Sequence, residues 1–220
     1  MIEPKQIIRT KRRSIALVVN SEGELIVRAP NVVSDAEIIK FVEKKQGWLE
    51  KKCFSVKAFD EKYSMITMAD GDTVVYLGND YMIDVCDVKI ITIDGNKICV
   101  PNTEGSRQLL INWLKENAFN IFVEQTRKYS LLMGVSPKGI KITEAKSRWG
   151  SCSQTNNLNF AWRLVMCPIS VIDYVIVHEL SHIAFKNHSK LFWIRVKTVL
   201  PNYKEQQAWL IANRKLMEII

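Results

Sequence analysis

No Cys-x-x-Cys pair, no glycine-rich phosphate loop and no apolar run long enough to cross a bilayer occurs in this 220-residue sequence. These absences argue against a zinc-finger module, a phosphate-loop nucleotide hydrolase and a membrane-spanning helix. Five cysteines, Cys53, Cys86, Cys99, Cys152 and Cys167, are odd in number and widely spaced, which fits reduced thiols rather than a disulfide framework. The start, Met1 to Gln6, lacks the basic, apolar and small-residue segments of a secretory signal, so the expectation is a soluble protein of the cytoplasm with no membrane partner. Repeats and low-complexity tracts are absent. Histidine is scarce, with three in the whole chain.

With 47% hydrophobic residues, the chain can bury a substantial core. Its formal charge of +8, from 31 Lys and Arg against 23 Asp and Glu, would favour nucleic acid. The basic residues are spread, however, and the densest cluster, Arg9 to Arg13, borders a strand-like stretch. A solvated sheet edge that resists aggregation explains it equally well. Nucleic acid is therefore a weakly supported partner, and the oligomeric state is not legible.

The first hundred residues alternate strand patterns with turns. Ser14 to Val19 and Leu25 to Arg28 flank Asn20-Ser21-Glu22-Gly23 and read as a hairpin. Ser34 caps one helix from Asp35 to about Lys52. Strands follow at Thr73 to Leu77, Tyr81 to Val85 and Lys89 to Val100. From Ser106 a long amphipathic helix runs to Met133, closed by Gly134. Ile140 to Thr143 and Leu158 to Val165 read as strands, Ile172 to Phe185 as an apolar helix, and Glu205 to the C-terminus as a last helix. The chain is α+β, divided at Pro101 to Gly105 into a β-rich subdomain, 1–104, and a helical subdomain, 105–220.

His178-Glu179-Leu180-Ser181-His182 lies in the apolar helix. Residues four apart share a helical face, so both imidazoles can reach one ion with Glu179 beside it. The alternative is a pair of hydrogen-bonded core histidines, but the preceding Val175-Ile176-Val177 buries this helix, where unpaired polar groups are costly. A catalytic zinc takes three protein ligands and leaves one position to water. All three histidines fall within eleven positions, which makes His188 the third donor ahead of a carboxylate such as Glu205 or Glu218. A continuous helix would carry His188 about 9 Å past His182, so the helix must stop, and Asn187 is a residue that tolerates the left-handed turn. The spacing matches the metzincin pattern, but Phe185 stands where that pattern has glycine. In this reading zinc brings water towards neutral pKa, and Glu179, as general base, takes its proton and later passes it to a leaving amine.

Trp149-Gly150-Ser151-Cys152, then Asp173 through His182, then Asn187-His188-Ser189 and Phe192-Trp193 together resemble the YgjP-like metallopeptidase domain, related to the SprT-like and WLM zinc proteases. The resemblance spans nearly the whole chain. It implies a zincin-like catalytic subdomain with Zn2+ on His178, His182 and His188, Glu179 as catalytic residue, and a peptide or protein substrate. A metal-dependent hydrolase of nucleotide phosphoanhydrides, or a nucleic-acid-associated module with a zinc site, are the alternatives. Trp149 reads as packing, Gly150 as a turn, and Cys152 as an inert thiol or a metal-approaching one. Leu158 to Trp162 reads either as an edge strand for an extended peptide or as an ordinary core strand, and Tyr203 offers a phenol for an oxyanion.

Overall fold

The computed structural model describes residues 2–20, 22–62, 66–69 and 71–219. The chain groups into two compact units, Met1–Ser64 and Met65–Ile220. The architecture is α+β, as expected.

In the first unit β1 (Pro4–Thr10), β2 (Ala16–Val19) and β3 (Leu25–Pro30) form a sheet of order β1-β3-β2, followed by α1 (Asp35–Glu43) and α2 (Gln46–Lys62). Strand β3 pairs antiparallel with β2 through the expected hairpin, and parallel with β1. Leu25, Val27 and Ala29 alternate with exposed Arg28 and join Ile38, Val42 and Leu49 in the core. Ser34 and Glu37 form a reciprocal capping box at the start of α1. The single helix expected over Asp35 to Lys52 is broken at Lys44-Lys45, where the amides of both lysines bond back to Lys40 and Val42. Gln46 then fixes the start of α2, its amide exchanging hydrogen bonds of 2.9 and 2.8 Å with the Ile2 backbone.

In the second unit β4 (Thr73–Tyr76), β5 (Asn79–Cys86), β6 (Thr92–Asp94) and β7 (Lys97–Pro101) form a sheet of order β4-β5-β7-β6. Helix α3 (Ser106–Met133) follows, then β8 (Gly139–Thr143), β9 (Gly150–Cys152) and β10 (Asn157–Ala161) in order β8-β10-β9. A 3₁₀ turn, Trp162–Met166, leads to α4 (Ile169–Ala184), α5 (Lys190–Val199) and α6 (Tyr203–Ala212). The compact units thus divide before the four-stranded sheet, and Pro101 to Gly105 marks the change from strand to helix inside the second unit. Physical contacts explain this grouping: β7 packs against α3, and the β4–β5 turn is fastened to the segment entering α4. Leu77 and Gly78 there have φ of 50° and 81°, and their amides donate to the carbonyls of Val165 and Met166 at 2.9 and 3.0 Å. A β-carbon on Gly78 would lie 2.6 Å from Pro168 Cγ, so glycine answers both the torsion and the space.

Helix α3 buries Leu110, Leu114, Ala118, Phe122, Thr126 and Tyr129, a stripe at steps of four with a last step of three, and ends on Gly134 at φ 62°. It shares with α4 a buried hydrogen bond, Tyr129 Oη to Asp173 Oδ2, of 2.9 Å. Strand β10 is central in its sheet, with Leu158 and Phe160 fully buried, so the edge-strand reading of Leu158 to Trp162 is corrected in favour of the core one. Among the described residues β8 and β9 are the edges of this sheet, each pairing with β10 alone.

Candidate metal centre

Helix α4 is apolar enough to be buried on nearly every face along Val171 to Val177, and His178 and His182 lie in its last two turns. Residues 178 and 182 project from one side, their ring centroids 5.0 Å apart. The helix stops at Ala184 because Phe185 turns extended, at φ −129° and ψ 102°. This corrects the expectation for Asn187, whose φ is not positive; the side chain of Asn187 accepts the Ser189 amide at 3.3 Å. Ser189 then caps α5, accepting the Phe192 amide, and His188 is held just ahead of that cap. The return brings the His188 ring to 4.9 Å from that of His178 and 4.8 Å from that of His182.

One ligand atom from each of His178, His182 and His188 lies within 4.8 Å of the others, and neither Glu205 nor Glu218 joins them. The orienting contacts suit ligation. His182 Nδ1 is 2.9 Å from the Phe185 carbonyl, which can only accept, so the proton sits on Nδ1 and the Nε2 lone pair is left for a cation. The Nε2 atoms of His178 and His188 face one another at 3.0 Å, while two tetrahedral ligands at zinc distances stand about 3.3 Å apart. Burial, then the neighbouring imidazoles, pull the pKa of His178 down to about 3, and burial lowers that of His182, so both are neutral donors at pH 7. Phe192, fully buried, packs against all three imidazoles at centroid distances of 4.6 to 4.9 Å.

Glu179 is 6% exposed and faces strand β9. In the β9–β10 ladder the Ala161 amide bonds to Trp149 and the Ser153 amide to Asn157, so the backbone groups of Gly150 and Cys152 point away from β10. The Cys152 amide meets the Glu179 carboxylate. Burial raises the pKa of that carboxyl to about 7, against the opposing pull of this hydrogen bond. A β-carbon on Gly150 would fall 2.9 Å from both Cγ and Oε1 of Glu179. Gly150 is therefore a strand residue that makes room for Glu179, a correction to the turn reading; the resemblance singles Gly150 out without this role, and the Phe185 carbonyl carries no signal in the sequence pattern.

The Cys152 thiol is outside the ligand cluster, and its pKa is raised, burial outweighing the nearby Lys186. Lys186 Nζ reaches Cys152 Sγ, the Ser153 carbonyl and Asn156 Oδ1, tying the segment after α4 to the β9–β10 hairpin. Tyr203 stacks on Trp193 at 5.4 Å, and Trp193 on His188 at 5.6 Å, so the Tyr203 ring stands one indole away from the histidine cluster.

The family described as YgjP-like, metallopeptidase domain, matches residues 13–213. No curated protein matches the chain. Among solved structures, the crystal structure of the metallopeptidase zymogen of Pyrococcus abyssi abylysin is similar at 19% identity, over 41% of this chain and 91% of that one, with a TM-score of 0.39.

Proposed function

The chain belongs to the YgjP-like metallopeptidase domain family, and from that premise we propose that it is a zinc peptidase in which His178, His182 and His188 hold the ion and Glu179 is the general base. The family makes it a hydrolase of peptide or protein substrates that works with a divalent metal. The observation that carries the residue assignment is the convergence of the three imidazole ligand atoms within 4.8 Å, with the other nitrogen of His182 already spent on Phe185. Three neutral nitrogens suit zinc, which favours imidazole and leaves a fourth position open in catalytic sites.

When bound, such a cation supplies a Lewis acid that lowers the pKa of water and polarises a carbonyl. Glu179 takes the water's proton and returns it to the leaving amine; the Gly150 wall and the Cys152 amide hold its carboxylate in one place for both transfers. An extended substrate lies along β9, where the Gly150 amide and carbonyl and the Cys152 carbonyl face outward. No helix among the described residues is long and apolar enough to cross a membrane. The free thiols of Cys99, Cys152 and Cys167 fit the reducing cytoplasm.

The test pairs metal analysis with hydrolysis of denatured proteins by the parent and Glu179→Gln. One zinc per chain in both, with cleavage abolished in the variant, is the expected result. Undiminished cleavage by Glu179→Gln rejects the base, and full zinc occupancy in His188→Ala rejects the third ligand. A chelator-sensitive release of phosphate from nucleoside triphosphates, without proteolysis, would overturn the choice of substrate.

A further inference from the structure

On the face of the β8-β10-β9 sheet turned away from Glu179 there is a cavity of about 190 Å³ lined by Thr143, Ala145, Arg148, Gly150, Ser151, Asn159 and Ala161. Strand alternation sets this up. Gly150 and Cys152 meet Glu179 on one side, and Ser151 points to the other, beside Asn159, its cross-strand partner. The cavity and the candidate active site are thus the two sides of the same three-residue strand.

Its polar side chains, Thr143, Arg148, Ser151 and Asn159, all carry donors, and no acidic side chain lines it. Arg148 is exposed and has no ion-pair partner among the described residues. The Asn159 amide nitrogen donates to Ser151 Oγ at 3.4 Å, leaving the serine proton and the second amide hydrogen unused. Thr143 spends its hydroxyl proton on the Phe160 carbonyl. Glu144, the one acid between Lys138 and Arg163, is already engaged by Lys115, the Trp162 indole and Arg163. Lys141, on β8, and Lys146 add positive charge on the same stretch of chain and make no ion pair among the described residues.

We infer that this cavity is a subsite for a substrate carboxylate, bound by Arg148 with Ser151 and Asn159. The inference rests on the peptidase reading, because a peptide seated along β9 sends alternate side chains to this face. A planar carboxylate matches the guanidinium fork, and two neutral donors complete its remaining lone pairs. The carboxylate belongs either to an acidic side chain or to the free carboxyl end of the substrate.

The experiment uses zinc-loaded, full-length Glu179→Gln protein, with and without Arg148→Met, and peptides that differ only by Glu or Gln at successive positions or by a free or amidated C-terminus. Binding is followed by fluorescence anisotropy, and kcat/KM is measured in parallel on the same peptides with an intact Glu179. The protein with Arg148 is expected to prefer the acid about tenfold to a hundredfold at one position, as a charge-assisted bond provides. Arg148→Met should bring that ratio to near one, and Arg148→Lys should restore part of it. Preference for internal Glu assigns the cavity to a side chain, and preference for the free terminus assigns it to the substrate's end; either supports the subsite. Equal binding of acidic and neutral peptides, or discrimination that survives Arg148→Met, overturns it. Binding discrimination without any hydrolysis would instead sink the peptidase reading and leave the carboxylate site standing.

Discussion

Position 150 has ordinary strand torsions, since its φ is not positive, yet a side chain there would press on Val175 at 3.1 Å as well as on Glu179. Gly150→Ala therefore acts by displacing a carboxylate rather than by straining the backbone. The expected outcome is a fall in kcat of about a hundredfold, the scale of a 1 Å misplacement. Zinc stoichiometry and circular dichroism should be unchanged; loss of zinc together with activity would show instead that α4 itself had moved. His178 and His182 were legible in the sequence because a helix repeats every 3.6 residues, and His188 because the chain has no other histidine. The Gly150–Glu179 contact joins a strand and a helix across 29 positions, and no local pattern encodes it. The backbone carbonyl of Phe185 is equally silent, since any residue carries one.

Helix α4 meets α3 through Tyr129 and Asp173, whose second oxygen, Oδ1, is buried without a partner among the described residues. Burial raises the Asp173 pKa, opposed by the Tyr129 hydrogen bond and by Lys128. The sign follows from which form the fold prefers. With a raised folded-state pKa, the stability due to this group is fully present below the ordinary aspartate value of about 3.9 and is lost as pH rises through the folded value. The Tyr129 hydroxyl offsets part of that loss because it stabilises the ionised form. Tyr129→Phe should accordingly destabilise the protein by about 1–3 kcal/mol at pH 7.5 and by less at pH 4. Chemical denaturation at the two pH values checks this, and an equal loss at both would assign the effect to packing alone. Elements with strong periodicity, such as α3 over Ser106–Met133, were readable almost to the residue. The break between α1 and α2 was not, because Lys44 and Lys45 are good helix formers and the turn is selected by the Gln46–Ile2 bonds, a contact across 44 residues.

All three candidate ligands lie in the unit Met65–Ile220, so occupancy of the site should be felt there. With free zinc at a hundred times its dissociation constant, linkage predicts a rise in melting temperature on the order of 5–10 °C. Hydrogen exchange with and without a chelator should show protection gained along α4 and α5, while β1 to β3 are unaffected. Protection gained throughout 2–62 would contradict this and tie the two units into one cooperative body. The ligands also have an unusual economy of chain. His178 and His188 meet across ten residues, whereas the sheet beside them requires β8 and β10 to pair in parallel across a longer connection. Closing so short a loop carries a small entropic penalty, and contacts of low sequence separation form early. The histidine hairpin is thus the more local contact, and that between Gly150 and Glu179, across 29 residues, the less local. A chain collapsing from the unfolded state is therefore expected to gather its three imidazoles at less entropic cost than it brings Glu179 to Gly150, so assembly of the candidate ligand set does not wait on the wall behind Glu179.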